Sequence, residues 1–219
     1  MNFRQCVAVS PKITLCPDQT SITNHRRGVM IRLAGGDAFG LGDHPTTRLA
    51  LRGIEFAVDM LSEKGAGAKA LDIGTGSGVL ALAAAMLGIG QVHAVDNDPV
   101  ARHEAGENIK NNVMAGRVLV DSRVLEEMPA REFCLIMANL RPPTLRGIFG
   151  RMSRLSKPTA LWVLSGFRPA EGCRLSEMLE KRGASILWRQ DEKNWSAFLA
   201  ELNIQALEGI EHSPQKAIS

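Results

Sequence analysis

The chain has 219 residues, of which 45% are hydrophobic and 22% charged, and its formal net charge is +3. This length and composition predict one globular domain with a substantial core, and so small a charge does not by itself indicate nucleic-acid binding. The longest apolar stretch, Val79 to Ile89, is too short to cross a bilayer, which needs about 20 residues. With no apolar run near its start that could act as a signal peptide, the chain is expected to be cytoplasmic and without membrane contact.

The cysteines and histidines of the chain are scattered. The four cysteines form no Cys-x-x-Cys pair, and we expect reduced thiols rather than a disulfide framework. The five histidines do not cluster either, so no metal site is expected. The cysteines are Cys6, Cys16, Cys134 and Cys173.

Three regions are expected along the chain. Residues 1–34 show strand-type alternation at Val29–Leu33 and are predicted to form an N-terminal extension, as an edge hairpin or a cap. Residues 35–202 are predicted to form the main domain. Residues 203–219 mix charge and proline with few large apolar groups, which predicts a flexible tail.

The glycine-rich stretch Asp37 to Thr47 stands at the start of the main domain. Its last residues, His44-Pro45-Thr46-Thr47, can begin a helix, because proline suits the first helical turn and threonine can cap it. Two interpretations remain open at this point. The stretch is either a plain entry loop or a loop that folds over a ligand.

From residue 68 onward, short apolar strands alternate with amphipathic helices, which is typical of a parallel α/β sheet. Only three residues separate the last two strands, so these must form an antiparallel hairpin. We therefore predict the Rossmann-like class I methyltransferase fold, a seven-stranded, mostly parallel sheet with an antiparallel last strand and helices on both faces. The predicted strands are Lys69–Ile73, Gln91–Asp96, Arg117–Val120, Phe133–Ala138, Thr159–Leu164, Ser185–Gln190 and Asn194–Ala200, and the predicted helices are Thr46–Glu63, Val79–Leu87, Val100–Asn112, Pro143–Leu155 and Ala170–Arg182.

The turn after the first strand of this sheet carries Gly74, Gly76 and Gly78. Glycines let the backbone turn sharply and let a ligand approach where a Cβ would collide, and the following helix N-terminus favours a carboxylate. A nicotinamide fingerprint needs a third small residue where Val79 stands, so the pattern favours S-adenosylmethionine. Asp72 is predicted to reach the amino end of this cofactor, directly or through water.

Acidic residues follow the next two strands. Asp96 is predicted to accept both ribose hydroxyls of the cofactor; the alternative is a helix cap, for which Asp98 before Pro99 is better placed. Asp121 is a candidate for the adenine amino group. Ser122 is an equal candidate there, and a solvated loop is as good an interpretation as either.

The fourth strand of the main sheet ends at Asn139, where the transferred methyl group would lie. An Asn side chain can accept the N–H bonds of an amine and hold its nitrogen about 3 Å from the methyl carbon. Asn139 is therefore predicted to position the acceptor as well as to contact the cofactor. The alternative is that Asn139 caps the following helix.

Several motifs together, in this order, resemble the PrmA family of ribosomal protein methyltransferases. They are Ala38–Leu49 with its Gly-x-Gly-x-His-Pro-Thr-Thr pattern, Leu71–Leu80, Val95–Pro99, Met137–Leu140 and Leu164–Gly166. The resemblance covers residues 28–200. It implies cofactor contacts for Thr47, Gly74, Asp96 and Asn139, with Phe39 at the loop, and transfer of methyl groups to lysine and N-terminal amines of a protein.

The chain departs from that family pattern in three places. Leu41 and Asp43 stand where the family usually has threonine, and Arg141-Pro142 replaces a more apolar continuation after Leu140. The family also carries a separate N-terminal recognition domain, for which the residues before Phe39 are too few. The resemblance therefore implies the chemistry more strongly than the substrate.

The leading hypothesis is an enzyme that methylates a protein amine, with a ribosomal or translation-related protein as the possible partner. The alternatives are an RNA or small-molecule methyltransferase and a binding module that holds the cofactor without catalysis. The basic, acid-free segment Arg141–Lys157 is either a solvated helix or a docking face for an acidic protein or RNA. Three Trp, seven Phe and no Tyr leave few aromatic rings to stack a flipped base, which favours the protein substrate.

Overall fold

A computed structural model describes residues 5–18, 28–34, 44–62 and 67–203, which form two sheets and five α-helices. Its strands are β1 (Val7–Ala8), β2 (Ile13–Pro17), β3 (Val29–Leu33), β4 (Lys69–Ile73), β5 (Gln91–Val95), β6 (Val118–Asp121), β7 (Phe133–Asn139), β8 (Ser156–Phe167), β9 (Ala184–Glu192) and β10 (Trp195–Leu202). Its helices are α1 (Pro45–Met60), α2 (Val79–Leu87), α3 (Pro99–Asn111), α4 (Pro142–Leu155) and α5 (Pro169–Glu180), with a 3-10 helix at Leu125–Glu127.

The seven-stranded sheet has the order β6-β5-β4-β7-β8-β10-β9. Strands β4 to β8 are parallel, and β10 runs antiparallel to both of its neighbours. The chain moves outward from β4 to β6 and then returns to the other side of β4 as β7, so the strand order reverses between β4 and β7. In such sheets ligands bind beyond the carboxyl ends of the strands at this reversal.

Helices cover both faces of the sheet, as the sequence predicts. One hydrophobic cluster contains the buried sides of α1, α2 and α3, and a second contains those of α4 and α5. In α4 the buried residues Leu145, Phe149, Met152 and Leu155 recur at helical spacing. Burying each of these side chains contributes about 1.5–3 kcal/mol. The predicted fold class, with helices on both faces of the sheet, is confirmed.

Proline marks the start of four of the described helices, α1, α3, α4 and α5. Its fixed φ angle suits the first helical position, where an N–H would have no partner in any case. The structure therefore begins α3 at Pro99 and α4 at Pro142, one residue earlier than predicted. Helix α1 ends at Met60, before the predicted Glu63.

The β9–β10 hairpin is confirmed, but its turn is tighter than predicted. Glu192 pairs with Trp195, so the turn consists of Lys193 and Asn194 alone, with φ angles of 46° and 63°. Two left-handed residues form a type I′ turn, whose twist matches that of the strands it joins. Asp191 and Glu192, expected in the turn, belong to β9.

The N-terminal strands form a three-stranded sheet of their own and do not extend the edge of the seven-stranded sheet. Strand β2 pairs antiparallel with β1 and parallel with β3. Its apolar side packs into the same cluster as α1 and α2. This cluster joins the small sheet to the main domain through residues Ile13, Leu15, Ile31 and Leu33.

One prediction about the cysteines is wrong, because Cys6 and Cys16 form a disulfide. The two residues are separated in sequence, but the antiparallel pairing of Val7 with Leu15 brings their neighbours together. Cys134 and Cys173 are free thiols, the first buried and the second exposed.

None of the helices in the described part of the chain is long and apolar enough to span a membrane. The Phe39 loop up to residue 43 and the predicted tail from residue 204 lie outside the described residues.

Candidate active site

A cavity of about 860 Å³ lies at the carboxyl ends of β4, β5, β7 and β8, where the strand order reverses. Five of the residues predicted from sequence line it: Thr47, Gly74, Gly76, Asp96 and Asn139. They come from α1, from the β4–α2 turn and from the ends of β5 and β7. The parallel sheet thus brings together residues that lie far apart in the chain.

The glycine turn has two structural roles. Gly74, Gly76 and Gly78 have φ angles of 74°, 55° and 80°, which side chains other than glycine rarely adopt. Gly74 and Gly76 face the cavity, and a Cβ on Gly74 would lie 2.7 Å from a methyl group of Leu140. Gly78 does not line the cavity; a Cβ there would lie 3.2 Å from Ala105 Cβ, so this glycine permits the close packing of α3.

Asp72 lies beneath the glycine turn and not on the cavity wall. It is fully buried, and its Oδ2 accepts a hydrogen bond of 2.7 Å from the Thr75 hydroxyl. Its Oδ1 has no partner. Burial raises the pKa of the Asp72 carboxyl to about 7, against the opposing effect of the Thr75 hydrogen bond. Its predicted contact with a cofactor stays a prediction.

Asp96 lines the cavity directly after β5. Its Oδ2 accepts a hydrogen bond of 3.0 Å from the Gly76 N–H, and its Oδ1 accepts one of 3.0 Å from the Asp98 N–H. These bonds fix the carboxylate and leave lone pairs on both oxygens for a diol. Asp98 is the residue that caps α3, since its side chain accepts a hydrogen bond from the Val100 N–H.

Asn139 is held in place by a short hydrogen-bond chain from α1. Its Nδ2 donates to Thr46 Oγ1 over 3.2 Å, and that hydroxyl lies 2.8 Å from His44 Nδ1. His44 Nδ1 also accepts from the Thr46 N–H, so it acts as the acceptor and the Thr46 hydroxyl as the donor. These hydrogen bonds use only the Nδ2 of Asn139 and leave its Oδ1 available as an acceptor. Because α4 is capped at Arg141, the alternative of Asn139 as its helix cap is wrong.

Several buried polar atoms near the glycine turn have no hydrogen-bond partner: Thr47 Oγ1, Ser77 Oγ and Asp72 Oδ1. Such atoms are rare in folded proteins, because burial without a partner costs about 1–3 kcal/mol. Thr47 lines the cavity and its hydroxyl is fully buried. A polar ligand would satisfy it.

Asp121 does not line the cavity. Its carboxylate accepts hydrogen bonds from the Arg123 backbone N–H and from the Arg123 guanidinium, and these contacts lower its pKa even though burial opposes them. Arg123 itself lines the cavity. The predicted adenine contact of Asp121 stays a prediction, and Phe39 lies outside the described residues.

Sequence reasoning did not assign a site role to Trp195, which forms part of the cavity wall. Its ring meets the His44 ring edge to face at 5.1 Å, and the Arg168 guanidinium lies 4.4 Å over its centre. The neighbouring Glu192 forms ion pairs with Arg48 and, at 2.9 Å, with Arg52 on α1. Only the tertiary pairing of β10 with β8 could have revealed this position.

In the part of the chain described by the structure, no three His, Cys, Asp or Glu side chains are grouped so that they could hold a metal ion.

Comparison with known proteins gives the family. The model of the ribosomal protein L11 methyltransferase (PrmA) family matches residues 2–203. The chain belongs to this family. Among its relatives, the ribosomal protein L11 methyltransferase of Bacillus velezensis is 32% identical over 196 residues, which are 89% of this chain and 61% of the relative. That of Bacillus cytotoxicus is 35% identical, with the same shares covered.

Solved structures agree with the family and the fold. A ribosomal protein L11 methylase from Lactobacillus delbrueckii subsp. bulgaricus is 26% identical with a TM-score of 0.76, over 91% of this chain and 99% of that one. An O-methyltransferase from Bacillus cereus, solved with SAH, shares the fold alone at 16% identity and a TM-score of 0.57, over 68% of this chain and 80% of that one. The present PrmA-family chain spans about three-fifths of the length of the curated relatives named above.

Proposed function

We propose that this PrmA-family chain transfers a methyl group from S-adenosylmethionine to an amine nitrogen of a protein, either a lysine side chain or an N-terminus. The observation that carries the proposal is the meeting of the glycine turn, Asp96 and Asn139 in one cavity at the reversal of the strand order. A cofactor subsite and a polar acceptor subsite are therefore adjacent.

The residues present fit S-adenosylmethionine. Asp96 offers two fixed carboxylate oxygens to a ribose diol, and the buried Thr47 hydroxyl lacks a partner that the cofactor would supply. Gly74 and Gly76 let a ligand approach the backbone at the start of α2, where N–H groups favour a carboxylate. When bound, the cofactor supplies an electrophilic methyl group on a sulfonium.

The acceptor amine must reach the cavity neutral, because an ammonium has no lone pair. Asn139 Oδ1 can accept one N–H bond of such an amine and so direct the nitrogen lone pair, while Thr46 keeps the amide from rotating. No strong base is required at this point, since burial lowers the pKa of a lysine amine by disfavouring its charged form.

We propose that the substrate is a ribosomal or other translation-related protein and that the reaction takes place in the cytoplasm. The support for this part is the family and the relatives named ribosomal protein L11 methyltransferase. The small number of aromatic residues in the chain is consistent with it, because enzymes that flip nucleobases stack them on aromatic rings.

The test is transfer of labelled methyl from S-adenosylmethionine to purified ribosomal protein L11 and to a bacterial lysate. We expect label in protease-sensitive, nuclease-resistant product, and amino-acid analysis should find it on lysine or an N-terminal amine. Label confined to RNA or to small molecules would contradict the proposal. Cofactor binding without transfer to any fraction would indicate a binding module.

Two variants separate the cofactor and acceptor roles. Asp96→Ala should weaken S-adenosylhomocysteine binding by about 1–3 kcal/mol through lost hydrogen bonds to the ribose, as measured by calorimetry. Asn139→Ala should reduce the transfer rate more than it reduces cofactor affinity. Asn203→Ala, an exposed asparagine beyond β10, is the matched control and should change neither. Equal losses of rate and affinity in Asn139→Ala would make it a cofactor residue only.

A further inference from the structure

Charged side chains of both signs line the cavity: Asp96, Asp98, Arg123, Glu126, Arg141 and Arg151. Asp96 and Asp98 lie at the end of β5, on the side of the proposed ribose contact. Arg141 lines the cavity two residues beyond Asn139, on the side of the proposed acceptor. A ligand that spans the cavity from β5 to β7 therefore meets the carboxylates of Asp96 and Asp98 at β5 and the guanidinium of Arg141 beside Asn139.

Arg141 differs from the other arginines that line the cavity. Arg123 is paired with Asp121, and Arg151 is paired with Glu126. Arg141 is exposed, and the described structure shows neither an ion pair nor a hydrogen bond from its guanidinium. It stands at the N-cap of α4, whose first turn contains no acidic residue. Its charge is thus uncompensated next to the acceptor subsite.

The surroundings of Arg141 suit a polypeptide better than a nucleobase. Asn139 pairs with Ser165 in the sheet, so the segments after β7 and β8 emerge side by side. There, Trp195 has Arg168 over its ring and His44 against it, and both contacts limit the area left for stacking. No other Trp or Phe lines the cavity within the described ranges.

We propose that Arg141 is a specificity-determining residue that pairs with the carboxylate of an acidic side chain close to the acceptor amine in the substrate polypeptide. A guanidinium presents a planar fork of donors that fits a carboxylate in two parallel hydrogen bonds, which fixes direction as well as position. This inference rests on the proposed protein N-methylation and names the sequence context that the site selects.

The test uses three peptides that differ only beside one acceptor lysine, which is flanked by Glu, Gln or Arg. The wild-type chain should methylate the Glu peptide with a kcat/KM about 5- to 20-fold above the Gln peptide, and the ratio should fall as salt rises, because exposed charges are screened. The Arg141→Glu variant should reverse this order and favour the Arg peptide. Arg141→Gln should show little preference.

Arg146→Glu is the matched control, because Arg146 is exposed on the same helix and does not line the cavity. It makes the same change of net charge and should keep the preference for the Glu peptide. Equal loss of preference in both variants would overturn the proposal in favour of a general charge effect. Equal kcat/KM for all three peptides would also overturn it, as would Arg141-dependent transfer to an RNA oligonucleotide in preference to every peptide.

Peptide binding in the presence of S-adenosylhomocysteine, followed by fluorescence anisotropy, separates this inference from the proposed function. Binding of the Glu peptide that depends on Arg141, without transfer, would support the docking role and contradict the enzyme. Transfer without charge preference would contradict the docking role alone. The cofactor affinity of Arg141→Glu should equal that of the wild type.

Discussion

The carboxyl group of Asp72 is buried beneath the glycine turn, and its pKa is raised from 3.8 to about 7 chiefly by that burial. Between these two values the folded chain keeps a proton that the unfolded chain releases. The associated stability is therefore fully present below about pH 4 and is lost as the pH rises toward 7. The Asp72→Asn substitution should remove this loss of stability at higher pH, because an amide carries no charge to desolvate.

We expect the free energy of unfolding of Asp72→Asn, relative to wild type, to be higher at pH 8 than at pH 5. The gain grows by about 1.36 kcal/mol for each pH unit between pH 5 and the folded-state pKa of about 7, and then levels off. Urea unfolding at both pH values measures it. A constant difference between the two proteins would show that Asp72 ionises normally in the folded chain.

Substitution of glycine by alanine is expected to have opposite effects on protein stability at Gly78 and at Gly106. Gly78→Ala places a Cβ 3.2 Å from Ala105 on a backbone with φ of 80°. We therefore expect the free energy of unfolding to fall by about 1–3 kcal/mol. Gly106→Ala, within α3 and with no heavy atom within 4 Å of the new Cβ, should gain about 0.5–1 kcal/mol from the lower flexibility of the unfolded chain. Thermal unfolding compares the two; stabilisation by Gly78→Ala would contradict the packing role of this glycine.

The residues that line the cavity could be predicted from the sequence where a motif coincides with the end of a strand. Gly74, Asp96 and Asn139 each stand at or just after a parallel strand, and the topology brings such positions to one edge. Trp195 could not be predicted, because it comes to the cavity only through the antiparallel pairing of β10 with β8. Asp121 is also at the end of a strand, but its side chain pairs locally with Arg123.

The β9–β10 hairpin is fastened to helix α1 through Glu192. This carboxylate is mostly buried and pairs with both Arg48 and Arg52, whose contacts lower its pKa against the opposing effect of burial. Glu192→Gln removes the negative charge that two partly buried guanidinium groups share. We expect a loss of about 1–3 kcal/mol in the free energy of unfolding and a looser position of Trp195, measured by urea unfolding and tryptophan fluorescence.

Asp59→Asn is the corresponding control, because Asp59 also pairs with a cation, Lys12, but in an exposed position. Screening by water should make the effect of Asp59→Asn smaller than that of Glu192→Gln. If Glu192→Gln costs no more than this control, the hairpin is held by its packing and not by the ion pairs.

Secondary-structure elements could be predicted from residue 68 onward because each signal is local. Strands such as Lys69–Ile73 are short apolar runs, and helices such as Val79–Leu87 end at a glycine. Strand β8, Ser156–Phe167, is longer at both ends than the predicted Thr159–Leu164, because polar residues such as Lys157 and Ser165 border the apolar run. Pairing with neighbouring strands sets both ends: Ser156 pairs with Phe133 of β7, and Ser165 and Phe167 pair with β10.

The small N-terminal sheet and the glycine turn are joined by one buried side chain on α3. Asn108 Oδ1 accepts a hydrogen bond of 2.8 Å from the Ala34 N–H, and its Nδ2 donates one of 2.8 Å to the Ser77 carbonyl. Nearby, Asn112 makes bonds of 2.9 and 2.6 Å to the Arg32 backbone. The sheet thus contacts the backbone that surrounds the proposed cofactor.

We expect Asn108→Ala to raise hydrogen exchange at residues 29–34 and to weaken S-adenosylhomocysteine binding, because the Ala34 N–H and the Ser77 carbonyl both lose their buried partner. In the wild type, the same ligand should slow exchange in these residues. Mass spectrometry of exchange measures both effects. Asn111→Ala is the control, since no hydrogen bond of its side chain is described; faster exchange there too would contradict a specific bridge.

This connection between the small sheet and the main domain could not be predicted from sequence. Val29–Leu33 shows alternation, which indicates a strand but not its partner. The parallel pairing of β3 with β2 and the bonds to Asn108 and Asn112 are tertiary. The Cys6–Cys16 disulfide belongs to the same region and was missed for the same reason, since strand pairing alone brings the two residues together.

The insertion of β10 between β8 and β9 has a consequence for synthesis on the ribosome. Strands β8 and β9 are complete before β10 emerges, yet they are not neighbours. Strand β9 depends on β10 for all of its pairing, and β8 depends on β10 for the pairing of one side. A nascent chain that ends before Trp195 would leave one side of β8 and all of β9 unpaired and available to other chains. The wall of the cavity that carries Trp195 would then be the last part to form, so a partly made chain would contain the glycine turn before the cavity is complete.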